Sequence, residues 1–307
     1  MDNILNSFFT ATFIFIVIRV GVPLLFASMS AYVASLSGIT NIAVEGMMVF
    51  GALFGVYFSA VTGSAWLGLL GVIVVGGLCG LALAFFTMKM KANPAMVGIA
   101  LNLFAADISV WLLLVWTGAK GTTATLPSKV LPVVHIPFIK DIPILGEILS
   151  GHYFLTYICI ALAIFIYILV YKTPFGTHMR ACGLDAHAAE SVGIKVGRVR
   201  LISIVLSGIL AALGGAYLSM GYMSIFSANM TASRGWIGIA ANAVGQGNFL
   251  IVILTTFIFA VAQGVVNRLV ITGLPSELIN TIPYICVLIG LIGLSVQKYL
   301  KNRERSA

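Results

Sequence analysis

Between Gly46 and Met88 the chain carries no charged side chain at all, and an uncharged stretch of that length leaves few ways to fold. An α-helix crosses the ~30 Å hydrocarbon core of a bilayer in about 20 residues, so the stretch holds two crossings, divided at the weak polar break Thr62-Gly63-Ser64. In hydrocarbon every backbone N–H and C=O must be satisfied inside the protein, which selects helices for such segments. Composition agrees: 8% of residues are charged, against about 25% in soluble domains. The fold class is therefore an all-α polytopic integral membrane protein, with membrane lipids as its immediate surroundings.

Taken in order, Phe8 to Leu36 reads as one long crossing, interrupted by Arg19 and by Pro23, which removes a helix hydrogen bond. Lys89, Lys91 and Asn93-Pro94 end the second uncharged crossing on the cytoplasmic side, and Ala95 to Trp116 crosses outward. Residues 118–151, punctuated by Pro127, Pro132, Pro137 and Pro143, form a long extracellular loop. His152 to Tyr171 returns, residues 172–200 make a cytoplasmic loop, and Leu201 to Tyr222 leaves again. The polar-studded run from Ser233 to Asn248 reads as a half-helix directed inward. Crossings at Phe249 to Ile271 and Leu278 to Gln297 follow, then a basic cytoplasmic tail over 299–307. Residues 1–307 thus form one membrane domain of about eight to ten transmembrane helices, with a first helical half at 8–117 and a second at 201–298. The N-terminus is expected outside. No cleavable leader is expected, because Asp2 and Asn3 stand where a basic region would begin one.

Orientation rests on charge. An excess of Lys and Arg in a short loop keeps that loop in the cytoplasm, and residues 172–200 carry Lys172, Arg180, Lys195, Arg198 and Arg200 against Asp185 and Glu190. Most of the 17 basic residues lie in three places: Lys89 with Lys91, this loop, and the tail from Lys298 to Arg305. That distribution orients a membrane protein, so the net charge of +8 is no nucleic-acid footprint. Within the loop, Gly183 is expected to end one helix in the left-handed conformation, Asp185 to cap the next, and Gly193 to close it. The result is a helix of about two turns, roughly residues 186–192, too short to stand without a partner surface. Ala188 and Ala189 are small enough to let another protein approach closely, with Glu190 and the basic residues setting register by charge.

Polar residues inside the crossings mark a second region. Glu45 and Asp107 sit in otherwise uncharged spans, where an acid at the helix centre costs about 2.5–3.5 kcal/mol on the insertion scale. Asn41, Asn102, Asn242 and Gln246 add hydrogen-bonding groups. These residues either line a path for a polar solute or hold helices together; for Glu45, capping a helix N-terminus competes with lining the path. A faint repeat pairs NIAVEGMMVFGALFG with GWIGIAANAVGQGN, and on this topology its two copies, at 40–117 and 233–297, run in opposite directions. Inverted repeats of that kind build transporters with the path at the repeat interface. Motifs of chemistry are missing: no GxxxxGKS/T, HExxH or GxSxG occurs, and Cys79, Cys159, Cys182 and Cys286 are scattered. No catalytic residue, metal site or cofactor is expected on this chain.

The runs NIAVEGMMVFGA, NPAMVGIALNLFA and, above all, MRACGLDAHAAESVGIKVGRVR resemble bacterial permease subunits of ATP-binding-cassette importers, the nucleoside-type permeases related to those for ribose and branched-chain amino acids. The resemblance covers nearly the whole chain. Ala188, Ala189 and Gly193 match the importers' Glu-Ala-Ala-x-x-x-Gly pattern, with His187 in place of the leading Glu. It implies a coupling helix, built around Gly183, Asp185, His187, Ala188, Ala189, Glu190, Ser191, Gly193 and Ile194, docked on an ATPase subunit that holds the ATP and Mg. It also implies a second homologous permease subunit and an extracellular substrate-binding lipoprotein. The cargo would be a small polar solute, nucleosides first; a sugar or other vitamin-sized solute shares the architecture. An ion-coupled secondary transporter, using Glu45 or Asp107, is the reading from a different class.

Overall fold

The computed structural model describes residues 11–118, 121–135 and 150–269, with isolated positions at 148, 285, 288, 290, 292 and 293. Its helices are α1 (Ala11–Leu36), α2 (Val44–Thr62), α3 (Ala65–Ala84, continued by a π turn Phe85–Lys89), α4 (Pro94–Thr117), α5 (Phe154–Lys172), α6 (Pro174–Leu184), α7 (Ala186–Ser191), α8 (Val196–Tyr217, continued by a π turn Leu218–Tyr222), α9 (Arg234–Gly245) and α10 (Phe249–Leu269). Seven helices among the described residues are long and apolar enough to cross a membrane. The crossing expected at Leu278 to Gln297 and the basic tail lie outside the described residues.

Local signals set several boundaries. Asn93 caps α4 by accepting from the Ala95 N–H at 2.9 Å, with Pro94 at the first helical position, where its missing N–H costs nothing. Gly63 and Gly118 end α2 and α4 in the left-handed conformation. Pro23 lies inside α1, which remains a single helix. One boundary differs from expectation: α8 begins at Val196, so Arg198 and Arg200 belong to its first turns. The Arg200 guanidinium is held there by donating to the Ser37 carbonyl at 3.1 Å and the Cys182 carbonyl at 3.5 Å.

α8 is the centre of the bundle and packs most extensively on α1, α2 and α3. Lipid supplies no hydrophobic drive for helix association, so close backbone approach between small residues must provide it. A Cβ on Gly51 would run into the backbone of Ala212, and one on Gly215 into the Met48 carbonyl. Gly76 and Gly80 of α3 meet the backbone of α8 around Ile204 and Gly208 in the same way.

With the central loop as the cytoplasmic reference, α1 ends inside, where Gly38 lies against Cys182 and Gly183. At the other face residues 121–135 lie over the bundle. β1 (Val133–Val134) pairs antiparallel with β2 (His152–Tyr153), and the Leu131 N–H donates to the Met220 carbonyl at 2.9 Å. α9 is 12 residues long, about 18 Å, and crosses only half of the bilayer. It runs inward, since the turn after it is tied to the inner ends of α1 and α5: Tyr32 Oη donates to the Gly247 carbonyl at 3.2 Å, and the Phe249 N–H donates to Tyr171 Oη at 3.1 Å.

Candidate coupling surface and translocation path

Two sites follow from this frame, one on the cytoplasmic surface and one in the middle of the membrane. On the surface, α7 forms because Asp185 caps it, one carboxylate oxygen accepting from the N–H groups of His187 at 2.9 Å and Ala188 at 3.1 Å. Those bonds favour the charged form and hold the Asp185 carboxyl below its usual range. Gly193 closes the helix at φ 85°, a conformation that suits glycine, and the Ile194 N–H returns to the Ala189 carbonyl at 3.1 Å.

Two residues at this surface behave differently from expectation. Gly183 ends nothing; α6 runs through it to Leu184, and a Cβ there would strike the Leu36 carbonyl, so glycine is needed for α6 to pack on the end of α1. Ala189 is buried and packs inward, which leaves Ala188 as the small exposed side chain. His187, Glu190 and Ser191 are exposed, and Ile194 packs against the core. Leu184 and Val192, which bracket α7, are 89% and 77% exposed, the highest values among the large apolar side chains described. Two bare apolar groups beside a capped short helix make a surface that a partner protein can cover. Sequence patterning could not single them out, because Leu and Val in a loop carry no special signal.

In the membrane, α2 and α9 meet N-terminus to N-terminus. The Glu45 side chain of α2 accepts from the Ser233 N–H at 3.0 Å and from the Gly235 N–H at 2.6 Å. The first N–H groups of a helix have no partner of their own and carry a partial positive charge. Glu45 satisfies one of those of α9, at Gly235, together with the N–H of Ser233 just before the helix, while lying in the first turn of α2, so one carboxylate serves two helix ends. Asn102 of α4 fixes the α2 end from the other side, its Oδ1 accepting from the Gly46 N–H at 2.7 Å and its Nδ2 donating to the Ile42 carbonyl at 2.8 Å. The segments matched as repeats in the sequence thus run in opposite directions from a common junction.

The chain between Tyr222 and Arg234 descends from the outer face to this junction without helix. Ser224, Asn229, Ala232 and Ser233 all take positive φ there, which is uncommon for residues other than glycine. Short turns satisfy part of its backbone, and the Arg234 guanidinium donates to the Met230 and Thr231 carbonyls at 3.0 and 3.1 Å. Irregular backbone at membrane depth persists where protein buries it or where it lines a water-filled cavity. Ser224, Asn229 and Ala232 are exposed, which points to water.

The remaining polar residues are spread out. Asn41 is fully buried; its Nδ2 donates to Ser207 Oγ at 2.9 Å and its Oδ1 accepts from the Ala43 N–H at 2.8 Å. Ser207 in turn donates to the Ser30 carbonyl at 2.8 Å, tying α8 to α1. Asn242 pairs with Ser35, its Nδ2 lying 3.2 Å from the hydroxyl oxygen. Gln246 is exposed at the inner end of α9. Asp107 is exposed on α4 and joins none of these groups.

Comparison with known proteins places this architecture. The family described as "Branched-chain amino acid transport system / permease component" matches residues 13–291. The guanosine ABC transporter permease protein NupQ of Bacillus subtilis is 29% identical, over 88% of each chain. The nucleoside ABC transporter permease protein NupC of Lactococcus lactis is 28% identical, over 88% of this chain and 87% of its own. A putative glucose permease, TsgC13 of Haloferax volcanii, is 26% identical over 87% of both. Among solved structures, PsaBC from Streptococcus pneumoniae in complex with Fab shares the fold with a TM-score of 0.56 at 16% identity, covering 94% of each chain.

Proposed function

Because the chain belongs to the family of branched-chain amino acid transport system permease components, it is a multi-pass permease of the cytoplasmic membrane, and we propose that it carries nucleosides inward as part of an ATP-binding-cassette importer. The observation that carries the reading is α7, a capped two-turn helix flanked by bare Leu184 and Val192 on a basic cytoplasmic loop. A separate ATPase subunit covers that surface and supplies the ATP and Mg; ATP hydrolysis is its chemistry and not this chain's. A push on α7 reaches the transmembrane helices directly, through Gly183 against Leu36 and through Arg200 between Ser37 and Cys182. A second permease chain and an extracellular binding lipoprotein complete the assembly.

Nucleosides are favoured because NupQ and NupC are named for guanosine and nucleosides, while the putative glucose permease TsgC13 keeps a sugar as the second reading. Glu45 favours an ATP-driven machine over ion coupling, since both of its oxygens are engaged by backbone N–H groups. The test is uptake of labelled guanosine and labelled glucose by vesicles containing the full complex. ATP-dependent guanosine uptake is expected; uptake of glucose alone moves the assignment to a sugar, and uptake driven by an ion gradient without ATP overturns it.

A further inference from the structure

We propose that the outward face of α4, centred on Asp107, is where the second permease chain docks, and that this partner is a different polypeptide presenting a cation or strong hydrogen-bond donor at the middle of the bilayer. The inference rests on the importer reading and names the surface and the chemistry of one of its interfaces.

α4 is the least buried of the seven described spans, with 22% of its window inside the protein. Its buried residues are Gly98, Ala105, Ser109 and Leu113. Asp107 is two residues from Ala105 and from Ser109, about 200° around the helix in each case, so it points directly away from the described residues that bury the opposite face. It also lies near the midpoint of a helix of 24 residues, roughly 2 Å from it along the axis. No described residue bonds to it. Around it Leu103, Phe104, Trp111 and Val115 are all more than half exposed. A carboxylate at that depth cannot be left facing lipid chains; intramembrane acids face protein or a water-filled cavity and pair there. The apolar side chains on every side of Asp107 select protein.

Charge complementarity then selects the kind of protein. A second copy of this chain, related by a twofold axis through the α4 face, would set one Asp107 beside another, and two carboxylates sharing a site disfavour each other's charge. A different chain with a Lys, Arg, His or amide group at the same depth turns the cost into a directional contact that also fixes register.

The experiment uses the full complex in its native membranes. A photoreactive phenylalanine replaces Leu103 or Trp111, one turn to either side of Asp107. Irradiation is expected to yield an adduct that mass spectrometry identifies as a permease-family chain different from this one. An adduct with a second copy of this chain, or with lipid only, overturns the proposal. In parallel, Asp107→Leu should lower the co-purified second permease by about tenfold or more, since it leaves the partner's donor unpaired, while Asp107→Asn keeps an acceptor and most of the partner. Parental recovery with Asp107→Leu overturns the role of the charge. If Asp107→Leu does not accumulate, the adducts and Asp107→Asn decide. The ATPase is followed in the same samples: its absence from the parental complex refutes the importer reading, whereas its presence with lipid-only adducts refutes this interface alone.

Discussion

Removing the Glu45 carboxylate separates a structural clamp from a transport group. In Glu45→Ala the N–H groups of Ser233 and Gly235, now held at 3.0 and 2.6 Å, lose their acceptor in a membrane interior. Gly235 is buried, whereas Ser233 is half-buried at the end of the segment that faces water; a buried donor left bare costs about 1–3 kcal/mol, so the variant should lose roughly 1–4 kcal/mol, most of it at Gly235. Glu45→Gln keeps one carbonyl oxygen for one of the two donors and loses the charge facing the positive helix ends, a contribution of about 0.3–2 kcal/mol; it should fall between the variant and the parent. The assay is thermal unfolding of the detergent-purified chain, read beside nucleoside uptake by the complex. The expected order of melting temperature is parent, then Glu45→Gln, then Glu45→Ala, with uptake falling in parallel. If Glu45→Gln instead melts like the parent and transports nothing, or transports with a shifted pH profile, Glu45 acts on the cargo or on an ion and the clamp argument is refuted.

Asn242→Ala breaks the pair with Ser35 and should cost about 0.6–1 kcal/mol, read as a small drop in melting temperature; loss of uptake at unchanged stability would instead put Asn242 on the path. Gly215→Val drives a side chain into the Met48 carbonyl and should abolish accumulation of folded protein, while Gly77→Ala, whose nearest neighbours would lie at 3.9 Å, should behave like the parent in the same fluorescence-detected size-exclusion assay. Exposed Lys129 sits on the outer segment, so Lys129→Cys in a background without native cysteines should react with an impermeant thiol reagent from outside. Protection there, with labelling of Asn302→Cys, would invert the orientation.

What could be read from the sequence was local. Asp185 and Gly193 declared α7 because capping and a left-handed close involve neighbours within a few residues. The half-helix was legible because its length and polar content do not suit a full crossing. The helix stop expected at Gly183 does not form, because its constraint comes from Leu36, far away in the chain, and nothing in the loop distinguishes a glycine needed for close approach from one needed for a turn. For Glu45 the sequence leaves capping and lining a path both open; Ser233, which it bonds just ahead of the helix it caps, lies 188 residues later. The descending segment from Tyr222 to Arg234 gave no warning either, since its left-handed positions are Ser224, Asn229, Ala232 and Ser233 and none is the glycine that usually marks such backbone.

The meeting of main chain with main chain around α8 bears on how such a subunit can move. Where Gly51 abuts Ala212, Gly215 abuts Met48 and Gly80 abuts Ile204, there is no layer of side chains whose rotamers could change to let one helix slide along another. Sliding one helix along another there would drive backbone atoms into backbone atoms, which a close-packed contact does not admit. α2, α3 and α8 are therefore expected to tilt as one body, and α9 travels with them because Glu45 of α2 fastens it. A passage for solute would then widen and narrow along the seam between this body and its neighbour, and the stroke delivered at α7 would change the posture of the whole subunit and leave its interior unaltered.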